Sequence, residues 1–443
     1  MISRYKLYLY PFVTVFWIMS CLGFVDQQLI PPLEKLHNAI LAACDLVIIV
    51  LGLLTLKQRG DMVVFWSYLI IGAISTLFLN HIGIFNLFNG TRDFLGLIFA
   101  VPILRWFMTC EYREEFKRLM DKTLTAWLWL QAFTITWQFI KYGAGDWGGG
   151  TMGHGASGMM SMSIYLISFF LIVRRWDSSQ YFSSLWKNRM YIFLLYPSFL
   201  NETKVSFILL AAYFILLIKF DRHFLVKILY VLPVGVAVFI GLGSLYFSVT
   251  KQDPDEVLSV EFFEDYLYGQ DLDNIIEVSM MIQDGTMDVD PREWWTVDIP
   301  RIAKLVLIAP ELRDTEGGLL FGAGLGQFKG GTMSDVPRFA RINEWLLNGS
   351  RPWIFFIIVQ LGWIGYVWFV CLMVRNLWIR RSNYPLAHKV VTLLALAFLI
   401  IQFYDASLRS FNFDVLLFYM TLCMQLDSGT KQEAATDAQA YLT

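Results

Sequence analysis

The chain reads as an all-α polytopic membrane protein of about 12 transmembrane helices with one large, partly helical loop, and three observations predict this. Hydrophobic residues make up 56% of the 443 and charged residues only 16%, against about 25% charged in soluble domains. Apolar runs of roughly 17–25 residues, the length needed to cross a bilayer as a helix, recur from one end of the chain to the other. An acid-, Gly- and Trp-rich stretch, residues 248–352, interrupts the series. Polar chemistry in a membrane protein must sit in backbone that is buried in protein or bathed in water, so such an insert points to a task at one membrane face.

The first run, Tyr8 to Phe24, follows Arg4 and Lys6 and lacks a small-residue cleavage site, which reads as a retained span and not a removed signal peptide. His37 to Leu56, Val63 to Gly83, Phe94 to Cys110, Leu124 to Tyr142 and Gly158 to Val173 follow as spans. Met190 to Leu200 contains Pro197 and covers about half a bilayer, so a broken or re-entrant helix is expected there. Val205 to Phe220 and Leu225 to Val249 belong with the N-terminal bundle, residues 1–247. Within the insert, Pro254 to Tyr268, Leu272 to Ile282 and Arg301 to Leu312 have helix-like apolar spacing. Trp353 to Val374, Val390 to Tyr404 and Phe411 to Leu426 make the C-terminal helices of residues 353–426. The polar tail, 427–443, is expected to be disordered and cytoplasmic.

Alternate connections differ sharply in Lys and Arg. One set carries Arg4, Lys6, Lys57, Arg59, Arg105, Arg113, Lys117, Arg118, Lys122, Arg174, Arg175, Lys187, Arg189, Lys219, Arg222, Lys227, Arg375, Arg380, Arg381 and Lys389. The short connections of the other set carry Lys35, Arg92, Lys141, Lys204 and Arg409. The positive-inside rule makes the first set cytoplasmic, which puts both termini inside and the insert outside. Cys21, Cys44, Cys110, Cys371 and Cys423 lie in or beside apolar runs without metal-type spacing, which argues against a disulfide framework or a zinc site. No internal repeat is visible, a point against repeat-built transporters.

Cations at the outer ends of apolar spans are costly and draw a functional reading. Arg92 opens a span in Asn89-Gly90-Thr91-Arg92-Asp93, where it either snorkels, pairs with Asp93 or binds a ligand. Lys204 stands in Asn201-Glu202-Thr203-Lys204, as part of an interfacial ion pair or as a ligand contact. Arg409, near Asp405 and Asp414, reads as structural. The connection Gly143 to Gly158 is Gly-rich and would let backbone amides approach an anionic or sugar ligand, with His154 as a base, a ligand or a plain loop residue. Arg301, Arg338, Arg341 and Arg351 crowd the C-terminal half of the insert, together with Glu344. Arginine is suited to bidentate phosphate binding, although these residues also offset the insert's carboxylates. Trp147, Trp294, Trp295, Trp345 and Trp353 are candidates for sugar stacking or for interface anchoring.

Four stretches resemble the O-antigen polymerase and ligase superfamily of bacterial polytopic glycosyltransferases. They are Gly150-Thr-Met-Gly-His154, Asn201-Glu-Thr-Lys204, Arg301 followed by Leu320-Phe-Gly-Ala-Gly-Leu-Gly326, and Leu361-Gly-Trp-Ile-Gly365. The resemblance implies a GT-C-like glycosyltransferase of the bacterial inner membrane whose insert is periplasmic. Its donor would be an undecaprenyl-diphosphate-linked oligosaccharide, with Lys204, Arg301, Arg351, Arg92 and Arg341 at the diphosphate. His154, Glu202 and Glu344 are the candidates for a base that deprotonates the acceptor. No metal or other cofactor is expected, since Asp271-Leu-Asp273 and Asp288-Val-Asp290 are ordinary in an acidic loop. Implied partners are membrane lipids and a chain-length regulator or flippase of the same pathway, and no nucleic acid. Ligases of the superfamily carry a His-Asn pair about three helical turns before the Gly-x-x-Gly element, where this chain has Arg351-Pro352. That departure favours a polymerase over an O-antigen ligase; a lipid-linked glycan transporter or flippase is the reading from another class.

Overall fold

The computed structural model describes residues 4–143, 148–176, 180–200, 205–217, 301–328, 336–347, 351–378 and 386–440, with isolated positions between 233 and 349. Its regular structure among these residues is helical. Helices satisfy every interior backbone group within one segment, as an apolar surrounding demands.

Among the described residues, seven helical segments are long and apolar enough to cross a membrane: Arg4–Leu29, Pro31–Thr55, Arg59–Leu79, Ile84–Thr109, Ser157–Arg174, Trp353–Leu377 and Ala387–Tyr404. They contain helices α1 (Arg4–Phe24), α2 (His37–Thr55), α3 (Arg59–Ala73), α4 (Ile84–Thr91), α5 (Leu95–Thr109) and, after α6 (Arg113–Tyr142), α7 (Ser157–Arg174). Two short helices, α8 (Tyr181–Lys187) and α9 (Arg189–Phe193), precede α10 (Val205–Leu217). The insert contributes α11 (Arg301–Arg313), α12 (Gly318–Phe321), α13 (Arg338–Ile342) and α14 (Glu344–Leu347), and the chain ends with α15 (Trp353–Leu377), α16 (Ala387–Tyr404) and α17 (Phe411–Ala440). Of the other expected spans, Leu124 to Tyr142 lies within α6, Phe411 to Leu426 within α17, and Leu225 to Val249 largely outside the described residues. α17 extends from Phe411 to Ala440.

The most apolar helices sit in the middle. Every residue of α5 from Leu95 to Leu104 is buried, as is nearly all of α7, and α17 packs against both. Helices apolar on all sides belong in an interior. By contrast α2, α3 and α16 turn Leu46, Val50, Trp66, Ile70 and Leu399 outward.

At one end of the bundle charged groups tie helix ends together. Buried Asp61 accepts from Arg105 at the end of α5 and, at 2.8 Å, from Arg375 at the end of α15. Asp121 of α6 pairs with Arg174 at the end of α7 at 2.5 Å. This basic end gathers residues of the Lys/Arg-rich connections.

Met190 to Leu200 is broken: α9 ends at Phe193 and a 3-10 turn covers Tyr196–Phe199. Ser168 of α7 bonds the carbonyl of Tyr191 at 2.8 Å, Ser198 bonds Tyr165 at 3.2 Å, and Ser206 bonds the carbonyl of Ser198 at 3.0 Å. The segment therefore climbs α7 from the basic end as far as Tyr165, and α10 descends again past Tyr213, which bonds Ser168 at 2.8 Å. Tyr165 lies eight residues inside the start of α7, about 12 Å along the helix.

Candidate functional site

The end of the bundle opposite the Asp61 clamp assembles arginines from separate parts of the chain. α11 carries its apolar residues on one face, and Ala303, Leu307, Ile308 and Leu312 pack with Leu346, Leu347, Phe355, Ile358 and Val359 into a core of their own. This packing seats the insert on the first turns of α15 and fixes Arg301 at the opening of α11.

The Arg301 guanidinium lies 4.7 Å from the ring centre of Tyr404, at the end of α16. Tyr404 has room because Gly158 stands at the start of α7: a Cβ there would come within 2.8 Å of the Tyr404 ring. After Tyr404 the chain turns through Asp405, whose carboxylate accepts from Ser407 at 2.7 Å, into a short 3-10 turn ending at Arg409. That turn packs on the Arg92–Phe94 turn and brings exposed Arg409 and buried Asp93 toward Arg351.

Arg351 has an unusual setting. Its guanidinium lies 5.0 Å from the ring centre of Phe328, which stacks on Phe356 at 4.7 Å, which in turn stacks on Trp353 at 5.3 Å. Its Nε is shut off from solvent and has no hydrogen-bond partner among the described residues. Burial pushes its pKa down to about 10, with Arg409 adding to the fall and Asp93 opposing it. The group is therefore a cation throughout the physiological range, held by aromatic faces with only partial neutralisation. A ligand phosphate would supply the missing acceptors.

The sequence-derived candidates separate on this geometry. Arg301 and Arg351 come to the same end of the bundle, joined there by Arg409, which reads as structural in the sequence. Arg92 donates from its Nε to Asp45 of α2 at 2.6 Å. Arg341 and Glu344 have exposed side chains on the insert, as does His154 on the Gly-rich connection. Glu202 and Lys204 lie outside the described residues, as do Trp147, Trp294 and Trp295. Trp353 is fully buried against Phe356 and Phe94, so it is a core residue and not a sugar platform.

Two glycine-rich stretches have described amides that bond within the protein. In the first, the Gly150 amide donates to Gln138 Oε1 at 2.9 Å, that of Thr151 to Gln131 Oε1 at 2.9 Å and that of His154 to Gln27 Oε1 at 2.8 Å. Gln131 and Gln138, fully buried on α6, thus act as clips that hold the loop down. Gln131→Leu should strand the Thr151 amide and cost about 1–3 kcal/mol, read as a lower unfolding temperature in detergent; an unchanged transition would show that the loop finds other partners. Two glutamines seven residues apart on one face of an apolar helix are the signal available in the sequence.

The second run, Gly317–Gly326, is wedged between the π-helical turn Ile74–Leu79 and a kink in α15 at Gly362. The kink leaves helix carbonyls without their usual donors, and the run supplies replacements. Ala323 N–H donates to the Val359 carbonyl at 2.7 Å, and the Ser75 hydroxyl sits 3.0 Å from the Gln360 carbonyl and 2.5 Å from that of Phe321. Leu325 N–H donates to Thr76 Oγ1 and Gly326 N–H to Gln360 Oε1, each at 2.9 Å. Irregular backbone is thereby kept inside protein at the bundle end.

No model of a known protein family matches the chain, and no curated protein matches it by sequence. Two stretches singled out in the sequence, Leu320–Gly326 and Leu361–Gly365, interlock through the Gly362 kink.

Proposed function

We propose that the chain is a polysaccharide polymerase of the O-antigen or capsule type, joining polyprenyl-diphosphate-linked glycan repeat units at the periplasmic face of a bacterial inner membrane. In this reading about 12 spans place both termini in the cytoplasm and the 248–352 loop in the periplasm. The observation that carries it is the placement of Arg301, Arg351 and Arg409 at the end of the bundle opposite the basic end, beside the packed part of the insert, with Asp93 the one carboxylate among the described residues that acts on Arg351.

The donor's diphosphate lies against Arg301 and Arg351, with Lys204 a further contact. An acceptor hydroxyl attacks the anomeric carbon, a new C–O glycosidic bond forms, and the bond from that carbon to the diphosphate oxygen breaks. The electron pair leaves on the diphosphate, where positioned cations stabilise the developing charge. The hydroxyl proton passes to a base, for which His154, Glu202 and Glu344 are the candidates.

Arg301→Ala and Lys204→Ala should each collapse the polymer-length ladder on a gel while the protein remains in the membrane. A wild-type ladder from both variants would defeat the catalytic reading. Deleting the gene distinguishes the neighbouring activity: single repeat units left on the carrier indicate a polymerase, whereas long carrier-linked polymer indicates a ligase.

A further inference from the structure

The basic end carries a groove that the proposed reaction does not use. It opens between α6 and the end of α7, measures about 610 Å³, and has Arg118, Asp121, Lys122, Thr125 and Trp129 along one wall with Arg175 and Tyr191 on the other. Steps of three and four residues place the α6 members on one helix face. Arg174 is neutralised by Asp121, whereas Arg118 and Lys122 are exposed and have no ion pair among the described residues. Arg175 is oriented by Tyr191: it donates to the phenol oxygen and lies 5.1 Å from the ring centre. Three cations thus line one mouth, against a single carboxylate there, Asp121, that is already paired with Arg174.

Beyond them the same side of α6 becomes apolar. Trp129 is 48% exposed, Phe133 71% and Ile140 78%, which makes a strip leading away from the cations toward the opposite end. From Arg118 to Trp129 is about 16 Å of helix. A soluble anion would need the cations alone, while a lipid with a charged head and a long tail matches both parts.

We propose that this groove binds an anionic phospholipid of the leaflet at the basic end, its phosphodiester held by Arg118, Lys122 and Arg175 and an acyl chain laid along Trp129 and Phe133. The site is independent of the polymerase reading, because none of its residues takes part in that chemistry.

The test is native mass spectrometry of the full chain released from neutral detergent, titrated with phosphatidylglycerol or phosphatidylcholine. The wild type should retain phosphatidylglycerol with a roughly tenfold preference, and R118Q/K122Q should lose that preference while staying monodisperse. K57Q/R59Q, which removes two exposed cations from the same end outside the groove, should keep it. Equal loss in both double variants would reveal diffuse attraction and overturn the site. Displacement of the lipid by an equal concentration of glycerol phosphate would show a soluble-anion pocket and overturn the lipid assignment.

Discussion

Replacing Gly362 by alanine is expected to cost about 2–4 kcal/mol of stability, the range for a strained backbone position combined with a close contact. Two effects act together there. Gly362 has φ +65°, a conformation that L-residues with a Cβ rarely adopt, and a new Cβ would run into the carbonyl of Leu320. The chain cannot relieve one without losing the other, since straightening α15 would withdraw the carbonyls of Val359 and Gln360 from Ala323 and Ser75. The damage should spread to the site, because the same part of α15 supports α11 and hence Arg301. Thermal unfolding in detergent would measure the loss, with Gly83→Ala as reference. Gly83 has φ −63°, and nothing lies within 4 Å of a Cβ placed there, so its substitution should leave the transition unmoved. Equal transitions for the two variants would mean that the wedge at Gly362 bears no strain.

Much of the bundle is written in local sequence, and the reason is physical. The unbroken apolar character of Leu95 to Leu104 allows no solvent-facing side, so the burial of α5 follows from composition. Pro197 in a short run foretells the broken segment that climbs α7. The candidate site is less legible, because its decisive contacts join residues far apart in sequence. Arg92 stands beside Asp93, and local reasoning pairs the two, yet its partner is Asp45, forty-seven positions earlier. Asp93 acts instead on Arg351. The glycine runs, too, join residues far apart in sequence. Glycine permits close backbone approach, but what approaches is other protein: Gln27, Gln131 and Gln138 in one case and the kinked α15 in the other. Nothing local distinguishes a loop that receives a ligand from one that receives a helix.

Arg351→Met is expected to separate activity from stability. A half-buried guanidinium whose Nε lacks a partner among the described residues is costly to fold, so an apolar side chain of similar length should leave stability unchanged or raise it by up to about 2 kcal/mol. Polymer formation should fall by about 10²–10³, the usual consequence of deleting one group that stabilises transition-state charge. Arg351→Lys sharpens the reading. It keeps a charge but loses the planar stack on Phe328, and an ammonium in this position would have its pKa lowered by the same burial and by Arg409. Protonation is needed for diphosphate binding, so activity of the lysine variant should decline as pH rises through its lowered pKa, below the roughly 10.4 of a free lysine. The wild type should hold its activity over that interval, because its own guanidinium does not titrate until about pH 10. The pH profiles of the two proteins, measured as polymer formed per unit of folded protein, decide the matter. Superimposable profiles, or parallel losses of stability and activity in Arg351→Met, would make Arg351 a packing residue and leave the diphosphate to other cations.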